Sequence, residues 1–106
     1  MKQRIFVVGA GTMGAGIAQL AAQKGFETWL YDLSEDQLRK AQAGIHKSLA
    51  TLVEKGKMDE PTHHSINARL HFVQSLDEAR SADLVIEAIV ENLGIKHQVF
   101  QSFAIS

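Results

Sequence analysis

Apolar residues recur along this chain in two alternating periods. Residues 5–8, Ile-Phe-Val-Val, are a short, mostly β-branched run that stops at Gly9 and predicts a buried strand. From 12 to 24 small and apolar residues dominate, with Met13, Ile17, Leu20 and Ala21 at helical spacing, and Gly25 closes that helix. Residues 26–31 predict a second strand ending at Asp32. Ser34 and Gln37 have capping-box spacing, and Leu38, Ala41, Ile45, Leu49, Leu52 and Val53 carry an apolar stripe over about twenty residues to Gly56. Asp59-Glu60-Pro61 predicts a further short helix reaching Ala68, since proline is tolerated in a first turn. Residues 70–73 read as a short strand, and Ser75 and Glu78 repeat the capping-box spacing. The run 83–90 is the clearest buried strand of the second half, and 92–103 predicts a final helix. Strands alternating with helices imply parallel βαβ units and an α/β sheet.

Composition narrows the class. The 106 residues are 45% hydrophobic and 22% charged, the balance of one ordinary folded domain. Eleven Lys+Arg against twelve Asp+Glu give a net charge of −1, so no broad electrostatic case exists for nucleic acid or an anionic membrane. The absence of cysteine removes disulfides, thiolate metal sites and thiol nucleophiles, and fits a reducing, cytoplasmic setting. No apolar run approaches the ~20 residues that span a bilayer, and Met1-Lys2-Gln3-Arg4 leads into a strand rather than a signal peptide. The five histidines (His46, His63, His64, His71, His97) form no evident ligand set, so no metal is expected. One domain of this size is small for an enzyme that must hold a large cofactor and a substrate.

Candidate chemistry starts at Gly9-Ala10-Gly11-Thr12-Met13-Gly14, a G-x-G-x-x-G sequence. Alone the pattern is weak. Here a strand ends at Gly9, a helix opens near Thr12, and Asp32 closes the next strand 18 residues after Gly14. Gly9 allows a tight strand-to-helix turn, and Gly11 has no Cβ to hold a pyrophosphate away. Gly14, with Gly16 behind it, is expected to let the helix pack close to the strand. Free N–H groups at the helix start then face the phosphates. Asp32 can accept from ribose hydroxyls and repels a 2′-phosphate by about 4 kcal/mol at ~4 Å and ε near 20. With no arginine beside Leu33-Ser34, NAD is favoured over NADP. The plainer alternative is a glycine turn followed by an acid that caps the next helix.

The stretch 9–18, Gly-Ala-Gly-Thr-Met-Gly-Ala-Gly-Ile-Ala, with Asp32 and the segment 85–92, Val-Ile-Glu-Ala-Ile-Val-Glu-Asn, resembles the N-terminal NAD-binding domain of L-3-hydroxyacyl-CoA dehydrogenases. The likeness runs from Arg4 to about Phe100. It implies a Rossmann-like parallel sheet, the first half of a doubly wound fold in strand order 3-2-1-4. A long helical hairpin inserted between strands 2 and 3 fits 34–68. Carried over by position, the family's cofactor contacts fall on Gly9, Gly11, Thr12, Met13, Gly14 and Asp32, and beyond the fourth strand on Ala88, Ile89, Glu91 and Lys96. Its coenzyme A contacts fall on Ser48 and Lys55, which seven-residue spacing puts on one helix face. Ser48 could equally be a solvated helix residue, Lys55 a cation suiting the helix end, and Glu91–Lys96 an ordinary surface pair.

The resemblance further implies NAD-dependent oxidation of 3-hydroxyacyl-CoA to 3-ketoacyl-CoA, chemistry of fatty acid metabolism, with an acyl-CoA as substrate. The family's catalytic histidine, in a His-x-Phe-x-Pro-type segment, has no counterpart in these residues, nor does its Ser-Asn-Thr-Ser segment. No catalytic residue is assigned. Residues 1–106 read as a single NAD-binding domain, cut short relative to the family, with no second domain and no activity alone. Its fourth strand leaves an open edge through which self-association is expected. The alternatives are a non-catalytic NAD(H)-binding module, or the same domain of a related hydroxy-acid or sugar-acid dehydrogenase.

Overall fold

The computed structural model describes residues 3–89. Four strands, β1 (Arg4–Val8), β2 (Glu27–Tyr31), β3 (Leu70–Val73) and β4 (Leu84–Glu87), form one parallel sheet ordered β3-β2-β1-β4. Val8 pairs with Tyr31 and with Glu87, and Tyr31 with Val73, so all four strands end at one rim of the sheet. α1 (Thr12–Gln23) links β1 to β2, while α2 (Glu35–Glu54) and α3 (Glu60–Arg69) form the hairpin between β2 and β3. A 3-10 turn, Asp77–Ser81, leads into β4. The expected strand order and the hairpin insertion are both present.

Side-chain alternation explains the layers. Ile5, Val7, Leu30 and Leu70 point to one face and pack with Ala18, Ala21 and Ala22 of α1. Leu38, Ala41, Ile45 and Leu49 of α2 and Ile66 of α3 complete that core. Alanines on the buried stripe of α1 let its backbone lie close to the sheet. Arg69 Nη1 donates to the Ala22 carbonyl at 2.7 Å, tying the hairpin to the end of α1. On the other face the Arg4 guanidinium lies 4.4 Å over the Trp29 ring, and Trp29 stacks on His71 at 4.8 Å. His71 Nε2 in turn lies 2.7 Å from Glu27 Oε2.

Three local expectations change. Ser34 Oγ accepts from Gln37 N at 3.1 Å, but Ser34 N donates to Asp32 rather than to Gln37, so only half of the capping box forms. Ser75 caps no α-helix: its hydroxyl accepts from Asp77 N, two residues on, and a 3-10 turn follows. β4 spans four residues instead of eight: its pairing with β1 ends at Val8 and Glu87, and Ala88 N makes a last bond to Val8 O at 2.7 Å. Residue 90 and the segment 92–103 lie outside the described residues. Among the described residues no helix is long and apolar enough to cross a membrane.

Leu49 is wholly buried between the hairpin and the sheet. Leu49→Ala removes a core side chain without polar compensation and should lower unfolding free energy by about 2–5 kcal/mol, read by denaturant titration. Asp59 caps α3 by accepting from Thr62 N at 2.8 Å, and the Thr62 hydroxyl and N–H hold its carboxyl below the usual aspartate value. A folded-state pKa that is depressed stabilises the fold above the unfolded value and loses that contribution as pH falls through the folded one. Asp59→Asn, which keeps the cap and removes the charge, should therefore flatten the melting temperature of the protein against pH in the acidic range near and below 3.8.

Candidate cofactor-binding site

The site is built where the strand order reverses, at the ends of β1, β2 and β4. Strand order runs outward from β1 to β2 and β3 on one side and to β4 on the other, so a crevice opens above β1. Gly9 takes the chain out of β1 with φ +107°, a left-handed conformation that side chains resist. A Cβ on Gly9 would come within 2.8 Å of the Ala88 carbonyl oxygen. On Gly14 it would come within 1.7 Å of the Gly9 carbonyl oxygen, which is why α1 can start directly against the strand end. Gly16 differs from expectation: a Cβ there meets nothing within 4 Å, so its smallness serves open space and not contact with the sheet.

α1 begins without help from side chains. Gly11 is its N-cap, with no side-chain cap hydrogen bond and no acidic residue in the first turn. The first-turn N–H groups therefore point into the crevice with the positive end of the helix behind them. Asp32 flanks them. Its Oδ2 accepts from Ala10 N at 2.9 Å and its Oδ1 from Ser34 N at 2.8 Å. Each carboxylate oxygen retains acceptor capacity for a ligand. The turn carrying Asp32 is itself pinned, since Gln74 Nε2 donates to the Leu33 carbonyl at 2.9 Å and Asp32 N donates to Val73 O at 3.2 Å.

A cleft of about 310 Å³ lies over this turn, lined by Gly9, Gly11, Thr12, Met13, Asp32, Ala88 and Ile89, seven of the positions read from sequence, and by Gln37. Gly14 sits beneath it as the packing contact. An adjoining hollow of about 240 Å³, mostly apolar, is bounded by Val8, Tyr31, Leu33 and Ile89 beside Asp32. Ser48 and Lys55 both belong to the α2 end of the hairpin and are exposed; Ser48 Oγ accepts from Gln19 Nε2 of α1 at 3.0 Å, and Lys55 is the C-cap of α2. They are not part of the cleft. Glu91 and Lys96 lie outside the described residues. Gln37, Gln74 and the Ala10 N–H were missed in the sequence. Gln37 carried a signal, since it precedes the buried Leu38 and so stands at the edge of the α2 face turned to α1. Among the described residues no three metal-ligating side chains are grouped, although the His46 and His63 rings face each other at 5.4 Å.

A parallel sheet with a tight glycine turn, an uncapped helix N-terminus and an acid at the end of β2 defines a dinucleotide-binding domain of the Rossmann type. Residues 4–105 match the family model described as the 3-hydroxyacyl-CoA dehydrogenase NAD binding domain, and the chain belongs to that family. It is 44% identical over 95 residues to a probable 3-hydroxybutyryl-CoA dehydrogenase of Deinococcus radiodurans, covering 90% of this chain and 34% of the relative. It is 42% identical over 102 residues to 3-hydroxyadipyl-CoA dehydrogenase of Escherichia coli K12, covering 96% and 22%. The crystal structure of (S)-3-hydroxybutyryl-CoA dehydrogenase from Ralstonia eutropha superposes with TM-score 0.81 at 35% identity, over 97% of this chain and 36% of that one. The chain thus spans about a third or less of the length of these relatives. NAD is the cofactor of the family's domain, and the residues fit it: a phosphate-sized approach over Gly11, free helix N–H groups and a fixed acceptor in Asp32.

The two glycines of α1 separate close packing from open space. Gly14→Ala forces the helix off the strand end and should cost at least about 3 kcal/mol of stability. Gly16→Ala should leave stability unchanged or raise it by up to about 1 kcal/mol through helix propensity, both read by denaturant unfolding of the two variants.

Proposed function

We propose that this domain binds NAD(H) with the diphosphate on the N-terminus of α1 and the adenosine ribose hydroxyls on Asp32. The apolar hollow beside Tyr31 and Leu33 receives the adenine, and Ala88 and Ile89 line the side of the cleft toward β4. When bound, NAD supplies the hydride acceptor for oxidation of a 3-hydroxyacyl-CoA to the 3-ketoacyl-CoA in the whole protein. The chain's own part is to bind and orient that cofactor: N–H groups of α1 fix the phosphates, and Asp32 fixes the ribose and discriminates against a 2′-phosphate. Gly14 and Gly9 hold the turn at the right distance. Glu91 and Lys96 are proposed as further contacts to the same cofactor, on the strength of the family resemblance.

The acyl-CoA substrate meets this domain at Ser48 and Lys55 of α2. Their side chains are exposed on one helix, about 10 Å apart along its axis by helical rise, a spacing that suits the phosphates of one coenzyme. The names of the relatives support a CoA thioester over other hydroxy acids.

The observation that carries the cofactor reading is Asp32, held by two backbone N–H groups beside an uncapped helix start. Titration of the full chain with NADH and NADPH, followed by nucleotide fluorescence, should give NADH affinity at least about tenfold the tighter, a small part of the ~4 kcal/mol repulsion expected at contact distance. Asp32→Ala should erase that preference. Absence of NADH binding, or tighter NADPH binding, would overturn the reading.

A further inference from the structure

The cofactor cleft has one charged residue in its lining, and it is an anion, Asp32. A bound dinucleotide brings two more negative charges on its diphosphate. The α1 macrodipole offers the equivalent of about half a positive charge, so the cleft alone leaves an excess of negative charge. A countercharge is available next door. A groove of about 360 Å³ runs between α1 and α2, and it shares Gly11, Thr12 and Gln37 with the cleft. Its lining contains one charged residue, Lys40.

Three features of Lys40 bear on this. It lies one turn after Gln37, so the two share the face that looks toward the glycine turn. Its neighbour Arg39 is engaged by Asp36, whereas Lys40 makes no ion pair among the described residues. The groove in front of it is held open from both walls, by Gly16 on α1 and Gly44 on α2, where a Cβ would meet nothing within 4 Å.

We infer that Lys40 is a diphosphate-binding residue of this site, supplying from the α2 wall the positive charge that the glycine turn lacks. This rests on the reading that NAD(H) occupies the glycine turn. Lys40 acts on the phosphates and not on the ribose, so it sets affinity for the dinucleotide while Asp32 sets the choice between NAD and NADP. A flexible ammonium suits that role, since it follows a phosphate as a point charge and leaves the orientation to the helix N–H groups.

The test is binding of NADH, ADP-ribose and adenosine to the full chain by calorimetry, in wild type, Lys40→Ala, Lys40→Glu and Lys40→Arg, with Lys47→Ala as the control on the same helix. Lys40 is exposed, so unchanged melting temperatures are expected throughout. In low salt Lys40→Ala should weaken NADH and ADP-ribose by about three- to tenfold, a tenfold loss being about 1.4 kcal/mol. Lys40→Glu should weaken them further, Lys40→Arg should stay within about twofold, and adenosine should be unaffected, as expected for a contact made to phosphate alone. The loss should shrink at high salt, because the contact is solvent-screened. Wild-type binding of NADH with Lys40→Ala and Lys40→Glu both within twofold of it would overturn the role of Lys40, as would a loss seen for coenzyme A and not for NADH. Failure of wild type to bind NADH would instead overturn the parent reading of the glycine turn.

Discussion

The contact that fixes this site is between three backbones, at Gly9, Gly14 and Ala88. The carbonyl of Gly9 occupies the volume where a Cβ of Gly14 would stand, and the carbonyl of Ala88 occupies that of a Cβ on Gly9. Strand end, helix start and the exit of the fourth strand are thereby brought within one side-chain radius of each other. Nothing in the apolar core requires so close an approach. Its consequence is positional: α1 starts directly above the reversal point of the sheet, and the Ala10 N–H is turned to meet Asp32 at the end of the neighbouring strand. Helix dipole, acid and crevice share one place because these glycines have no side chains.

The arrangement carries features that cost stability in the free domain. The start of α1 has no side-chain cap, where a serine or aspartate would contribute about 0.5–2 kcal/mol. Met13 remains 41% exposed at the mouth of the cleft and Leu33 76% exposed beside Asp32. Elsewhere the chain caps its helices conventionally, with Ser34 on α2 and Asp59 on α3. Among the α-helices of the described residues, the one left open is the one that faces the crevice, where an anionic ligand would satisfy its unmatched donors.

Much of this was legible in the sequence, and the limits have physical causes. The β1 run, the helix stripe from Leu38 to Val53 and the glycine spacing to Asp32 are local patterns, and each became the element expected. Of the lining positions of the cleft, Gly9, Gly11 and Asp32 follow from that spacing, while Thr12, Met13, Ala88 and Ile89 come from the family resemblance. Gly16 faces open space and not the sheet; spacing along α1 shows which residues are small but not which side of the helix meets the sheet. The second half of the Ser34 capping box failed because Asp32, two residues earlier, competes for the same N–H. The fourth strand is shorter than its apolar run because its partner β1 ends at Val8, a limit set by register that the run itself does not carry. Gln74 was invisible because its partner, the Leu33 carbonyl, is 41 residues away in sequence. The stack of Arg4, Trp29 and His71 likewise depends on the register between three strands.

α1 itself is divided lengthwise. One side carries Gly14, Ala18, Ala21 and Ala22, small enough to lie against the sheet and wholly or nearly buried. The other carries Gly16 and Gln19, facing α2 across a groove that begins at the glycine turn and reaches Gln19, whose amide donates to Ser48. The same helix therefore touches both candidate ligand regions, the nucleotide turn at its N-terminus and the Ser48 end of the hairpin two turns later. The uncapped N-terminus and the Gln19–Ser48 contact are positioned together, because both belong to one helix of twelve residues.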